Sequence, residues 1–234
     1  MTTISVIVTH WAQNDLRSET MRTCVLSLIN TTKDTPCEII VVDNGESYED
    51  SVWLLQQVNR KNIHHYIRNS ENLYFGYARN QAIKLSMGDY IVVSDNDIEY
   101  KPGWIEECVK ILEAFPEEKL LVTPLKTDRE HRSEKYWRGI RTVEGKSYLL
   151  NARAGSNSWM MRRETFEEVG RFVNHRIAGS KWIVAANNKG YNVVTMETEP
   201  LAVDMGFTKG YNFKETPILK KVLTDGSEVI LNEG

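Results

Sequence analysis

Asp95, Asn96 and Asp97 follow directly on the apolar run Ile91-Val92-Val93 and Ser94, which reads as a buried strand. On an extended segment, residues two apart point the same way, so a D-x-D presents both carboxylates on one side. Two such carboxylates repel each other and gain nothing from a core. Hard cations such as Mg²⁺ and Mn²⁺ take oxygen ligands, and Mg²⁺ is commonly held by only one or two carboxylates plus substrate phosphates. One aspartate can then bind the metal while the other positions a neighbouring group. The structural alternative is a turn in which Asp97 helps to cap the helix expected after Pro102, and D-x-D alone does not separate the two.

The elements that must position this pair alternate strand and helix. Strands are expected at 4–9, 37–43, 63–68, 89–95 and 119–124; the first is apolar without polar alternation, as in a sheet covered on both faces. Helices are expected at 15–30, at 48–58 with Val52 and Leu55 inward, at 76–87 with Ala78, Ala82 and Leu85 inward, and from Pro102 to Phe115. This order predicts an α/β, Rossmann-like fold with a mainly parallel central sheet and right-handed crossovers. Ligands collect beyond the carboxyl ends of strands in such sheets. Thr9 and His10, then Asp43 and Asn44, then residues 69–80, then Asp95 and Asp97 fall there. Helix N-termini on that rim favour phosphate, and three aspartates suit a divalent cation better than a bare anion.

The second half is less regular. Residues 126–153 read as a long polar, partly extended excursion, followed by a strand at 156–163, short helices at 163–170 and 180–189, and closing strands at 191–196 and 200–205. Between 126 and 163 stand ten basic residues and four acidic ones, with Tyr136, Trp137, Tyr148 and Trp159 interleaved. Such a segment suits an anionic acceptor, whether a phosphorylated glycan, a lipid phosphate or nucleic acid; the alternative is a solvated loop. Trp159 and Trp182 sit among apolar residues and are expected in the core.

Composition excludes several classes. The net charge is −3, which gives no general push toward nucleic acid or membrane. Three cysteines, Cys24, Cys37 and Cys108, are widely spaced and form no CxxC, so a disulfide framework or zinc site is not expected. No run approaches the about 18 apolar residues of a membrane helix, and the N-terminal apolar stretch is too short for a signal segment. The expectation is a soluble, cytoplasmic protein. No G-x-G-x-x-G follows the first strand, which disfavours a dinucleotide dehydrogenase.

Four segments, "ISVIVTHW", "EIIVVDNGES", "NSENLYFGYARNQAI" and "GDYIVVSDND", resemble in order and spacing the family 2 glycosyltransferases of GT-A fold, in particular rhamnosyltransferase-like members with N-x-G-F-G-x-A-R-N. The later "GSNSWMMRRETFEEVGRF" is similar to the family's acceptor-side strand and helix. The resemblance implies a single GT-A domain over 1–234, with a nucleotide-sugar-binding half at 1–104, an acceptor-side half at 105–213 and a tail at 214–234. It implies a nucleotide-diphosphate sugar donor (UDP, dTDP or GDP), Mn²⁺ or Mg²⁺, a glycan or other hydroxyl acceptor and an inverting transfer. Carried over by position, Thr9 and His10 contact the nucleotide, Asp43 with Asn44 faces the base, and Gly76, Arg79 and Asn80 border the nucleotide. Asp95 lies near ribose and donor sugar, and Asp97 ligates the metal. Asp204 stands where many relatives have a ligating histidine.

The sequence departs from the family at its acidic pair. "RIAGSKWIVAANNKGY" has none near Gly179, and no Asp or Glu lies between Glu168 and Glu197. His175, with an ordinary pKa of about 6.5, is the nearest titratable candidate base; Asp128, Glu197 and Asp204 are others. Two further readings follow from these departures: a glycosyltransferase that modifies nucleic acid, and a catalytically inactive sugar-nucleotide-binding protein.

Overall fold

The computed structural model describes residues 3–12, 14–45, 47–126, 134–155, 157–175 and 177–208, with two short strands at 219–222 and 228–231. Four parallel strands form one side of the sheet: β1 (Ile4–His10), β2 (Cys37–Asp43), β3 (His65–Arg68) and β4 (Tyr90–Asp95). They lie in the order β3-β2-β1-β4. All seven residues of β1 are buried, because helices cover both faces. Val6 and Val8 point into one core with Met21, Cys24 and Leu28; Ile7 points into the other with Ala78, Ala82 and Trp159. The register pairs Thr9 with Asp95 and His10 with Asp43, which aligns the polar strand ends in one row.

Side chains cap the first two helices. Asn14 accepts from the Arg17 amide at the start of α1 (Asp15–Thr32), and Ser47 accepts from the Asp50 amide at the start of α2 (Tyr48–Asn59). Leu55 is exposed; the inward face of α2 is Asp50, Ser51, Leu54 and Gln57. Apolar spacing misassigned this face because polar groups with internal partners occupy it. On α3 (Tyr74–Leu85), Ala78, Ala82 and Ile83 are buried, while Leu85 ends the helix exposed. Helix α4 (Trp104–Ala114) begins after Gly103, whose φ of +85° turns the chain left-handed, so Pro102 belongs to the preceding turn.

The sheet continues through strands of both directions. After β5 (Ile98–Tyr100) and β6 (Leu120–Lys126), the expected polar excursion is in its described part a hairpin of β7 (Trp137–Val143) and β8 (Lys146–Asn151). Strand β9 (Ser158–Arg162) inserts antiparallel between β4 and β6. The sheet is therefore parallel from β3 to β4 and mixed beyond, since the hairpin returns the chain from the opposite end. After α5 (Arg163–Val169) and α6 (Ala178–Asn188), β10 (Asn192–Met196) pairs with β6 and β8. Strand β11 (Ala202–Asp204) then pairs antiparallel with β5, setting Asp204 opposite Ile98. Cys24 and Cys108 are buried free thiols, and Trp159 stacks on Trp182 in the core, ring centroids 5.8 Å apart. Among the described residues, no helix is long and apolar enough to cross a membrane.

One seam joins the two halves. A Cβ added to Gly76 in α3 would lie 2.2 Å from the Val173 carbonyl oxygen and 2.6 Å from the Ala178 Cβ. Neither contact is with a flexible side-chain end. Gly76→Ala is expected to lower stability by about 1–3 kcal/mol, the usual range for overpacking, read as a melting temperature lower by about 2–4 °C per kcal/mol. An unchanged melting temperature would show that the seam yields freely.

Candidate active site at the carboxyl edge of the parallel strands

The strand ends open into a cleft of about 480 Å³. Thr9, His10 and Trp11 line it at the end of β1, Asn44 just after β2, Asn72 from the β3–α3 connection, Tyr74 and Phe75 from the first turn of α3, and Asp95, Asn96 and Asp97 at and just after the end of β4; Arg17 and Asn157 complete it. The sequence singled out Thr9, His10, Asn44, Asp95 and Asp97, and the fold brings these together. It did not single out Trp11, Arg17, Tyr74 or Asn157, for which residue type alone gives no chemical signal.

Asp95 is held from two sides. Its amide donates to the Asn157 carbonyl at 2.7 Å, and its Oδ1 accepts from Arg79 Nη2 at 2.7 Å. Burial pushes its carboxyl pKa up; the Arg79 guanidinium opposes this, and the Asp97 and Asp204 carboxylates raise it further. About a third of the side chain remains open. The Asp97 carbonyl accepts from the Met205 amide at 2.8 Å, and Asn157 Nδ2 donates to Asp204 Oδ2. Three carboxylates thus feel one another at the rim. Among the described residues no group of three or more His, Cys, Asp and Glu forms a self-sufficient metal cage. The all-oxygen donor set and the crowded negative charge fit Mg²⁺ or Mn²⁺.

Asn96 is fixed by a buried chain of groups. Its Nδ2 donates to His10 Nδ1 at 2.9 Å, and His10 Nε2 donates to Asp50 Oδ2 at 3.1 Å. A neutral imidazole with its proton on Nε2 satisfies both bonds. Asp50 also accepts from Ser18 Oγ at 2.5 Å and from Arg22 Nη2 at 3.1 Å. His10 therefore lines the cleft with both ring nitrogens engaged, and its side chain is 1% exposed. Asp43 lies behind the wall: its carboxylate accepts from the Gly45 amide, Ser51 Oγ and Tyr66 OH at 2.9, 2.6 and 2.7 Å.

Several of the expected site residues lie outside the cleft lining. Gly76, Arg79 and Asn80 do not border the cleft. Gly76 meets Val173, and Arg79 is fully buried with its guanidinium 4.8 Å from the Phe75 ring centre. Asn80 donates to the Phe172 carbonyl and accepts from the Phe172 amide. All three face the segment after α5, because α3 runs beneath it. His175 is exposed outside the cleft lining, its Nδ1 accepting from the Ile177 amide at 3.2 Å. Glu197 lines a separate pocket of about 180 Å³, and Asp128 lies outside the described residues.

The basic segment is divided in its described part: Lys135, Arg138 and Arg153 are exposed, Lys135 and Arg153 over the Tyr136 ring, while Arg141, Lys146, Arg162 and Arg163 are engaged by the protein itself. Arg141 forms a forked pair with Glu118, Lys146 pairs with Glu107, and Arg162 and Arg163 donate to the Leu112 and Gly88 carbonyls. Arg129 and Arg132 lie outside the described residues.

Burial alone would raise the Asp50 carboxyl. The hydrogen bonds from His10, Ser18 and Arg22 outweigh it and hold the pKa at about 2, against an ordinary 3.8. The unfolded state then binds more protons between these values, so the stabilisation is complete above about pH 4 and is lost as pH falls toward 2. The stability gap between wild type and Asp50→Asn is expected to shrink by about 2 kcal/mol over that interval. Denaturant unfolding at each pH measures it, and a constant gap would rule the effect out.

Residues 5–170 match the family model described as glycosyl transferase family 2. A Drosophila melanogaster protein assigned as polypeptide N-acetylgalactosaminyltransferase 13 is 26% identical over 152 residues, covering 61% of this chain and 26% of that protein. Hyaluronan synthase of Pasteurella multocida is 31% identical over 107 residues, covering 45% of this chain and 10% of that protein. The chain thus spans about a quarter or less of these curated relatives. Among solved structures, S. aureus TarS superposes with a TM-score of 0.63 at 14% identity, covering 86% of this chain and 36% of that one. GalNAc-T7, solved with UDP, GalNAc and Mn²⁺, superposes with a TM-score of 0.66 at 14% identity, covering 86% and 43%. These likenesses make the fold GT-A, and the match over residues 5–170 means that the chain belongs to glycosyl transferase family 2.

Proposed function

We propose that the protein transfers a sugar from a nucleoside-diphosphate donor, a UDP-, dTDP- or GDP-sugar, to the hydroxyl of a glycan or similar acceptor, with Mn²⁺ or Mg²⁺ and with inversion at the anomeric carbon. The observation that carries this reading is the Asp95-Asn96-Asp97 turn, which ends β4 inside the cleft with its charge crowded by Asp204. GalNAc-T7, a neighbour in fold, was solved with UDP and Mn²⁺, which supports the donor class.

A divalent cation held by Asp97 and Asp95, with Asp204 within electrostatic reach, would neutralise the charge that grows on the diphosphate as the glycosidic bond breaks. The chain's own residues supply preorganisation. Arg79 fixes Asp95, the Asp50-His10 pair fixes Asn96 between the two aspartates, and Asn157 orients Asp204. Held groups of this kind need not reorganise at the moment of reaction. The wall from Thr9 to Asn44 would take the nucleoside, and the opposite wall, with Asn157, the sugar and acceptor. A second reading, donor binding without transfer, is favoured by the first turn of α6, Ala178-Gly179-Ser180, which carries no acid. Release of nucleoside diphosphate from a bound donor separates the two.

A melting screen with UDP, dTDP, GDP and CDP, each with and without Mn²⁺, tests the donor site. At about 100 times its dissociation constant a ligand adds about 2.7 kcal/mol, an upward shift of about 5–10 °C for a chain of this size. One nucleotide is expected to give this shift when Mn²⁺ is present. No shift with any of the four would remove the proposal. In Asp97→Ala the Mn²⁺-dependent part of the shift is expected to vanish while the ligand-free melting temperature stays within a few degrees. Retention of the full shift would take the metal role away from Asp97.

A further inference from the structure

Tyr74 opens α3 with a φ of +59°, a left-handed conformation that is a genuine outlier for a bulky side chain. Two other non-glycine residues among those described share the sign, and both have ordinary reasons. Lys61 follows the end of α2, and Glu144 shares the β7–β8 turn with Gly145. Tyr74 ends no helix and closes no hairpin. Its amide donates to Asn72 Oδ1 at 2.8 Å, and its side chain is about half exposed in the cleft wall. The neighbouring Phe75 ring lies over the buried Arg79 guanidinium. The strained backbone thus presents Tyr74 outward rather than into packing, and strain kept at a ligand cleft points to function.

Its place in the cleft says what it meets. A Cβ on Gly45 would lie 2.3 Å from the Asn69 carbonyl oxygen, so the segment that leads to Tyr74 rests on the end of β2. Strand β2 is two strands from β4, about 10 Å away at the usual spacing. That separation from the Asp95–Asp97 end is comparable with the length of a nucleoside. In the same cleft Trp11 adds a second aromatic ring to the wall at the end of β1.

We infer that Tyr74 is a specificity-determining residue that stacks on the nucleobase of the donor. This rests on the donor-site reading above. The test measures dissociation constants for UDP, dTDP, GDP and inorganic pyrophosphate, all with Mn²⁺, on wild type, Tyr74→Gly and Tyr74→Phe, together with ligand-free melting. Tyr74→Gly is expected to melt at or above the wild-type temperature. It should bind the preferred nucleotide about tenfold or more weakly, the scale of one lost base–aromatic stack, with pyrophosphate affinity unchanged. Tyr74→Phe, which keeps the ring face, should stay within about threefold of wild type. Equal nucleotide binding by Tyr74→Gly, an equal loss of pyrophosphate, or a melting temperature several degrees lower would each overturn the inference and leave the donor site standing. Wild type that binds none of the nucleotides would overturn both.

Discussion

The fully buried Arg79 guanidinium is the constraint around which the site is arranged. It bonds Asp95 at 2.7 Å and lies between the Phe75 and Phe172 rings, 4.8 and 5.4 Å from their centres. Taking a guanidinium out of water costs several kcal/mol, and such a pair is weak evidence for stability in itself. What it secures is position. One end belongs to α3, the other to the end of β4, and Phe172 belongs to the segment between α5 and α6. The side chain that carries the site's charge is thereby tied to α3 and to that segment.

Two anchors of different chemistry converge on the same three residues. Arg79 holds Asp95 by charge, and the Asp50-His10 pair holds Asn96 by directional hydrogen bonds from beneath. A turn carrying mutually repelling carboxylates would otherwise relax away from its neighbours. With both anchors made, the repulsion is retained at the rim of the cleft.

The sequence disclosed the strands, their order across the first hundred residues and the rim of the cleft, because unbroken apolar runs and the polar residues that end them are local signals. It did not disclose the β5–β11 pairing that brings Asp204 beside Asp97, since pairing partners about a hundred residues apart leave no local trace. The inward face of α2 was misread because Asp50 and Ser51 are buried polar groups whose partners lie on other elements. Arg79 and Asn80, polar residues in a motif, invited a ligand role; their partners are the protein's own Asp95 and Phe172. Helix periodicity marks which residues face inward, and says nothing of what they meet there.

The position of β9 governs the order in which the molecule is completed. It follows β8 in the chain yet lies between β4 and β6, and the Asn157 carbonyl just before it receives the Asp95 amide. During synthesis, every residue up to the end of β8 emerges while β4 and β6 still expose unpaired backbone edges, which are templates for wrong pairing. Contacts this far apart in sequence also form slowly. A chain interrupted before residue 158 would lack β9 and β10 and leave the β4 edge, both edges of β6 and the β8 edge unpaired, a species prone to join its own copies, and arrival of β9 closes the β4 edge as it brings Asn157 to the cleft.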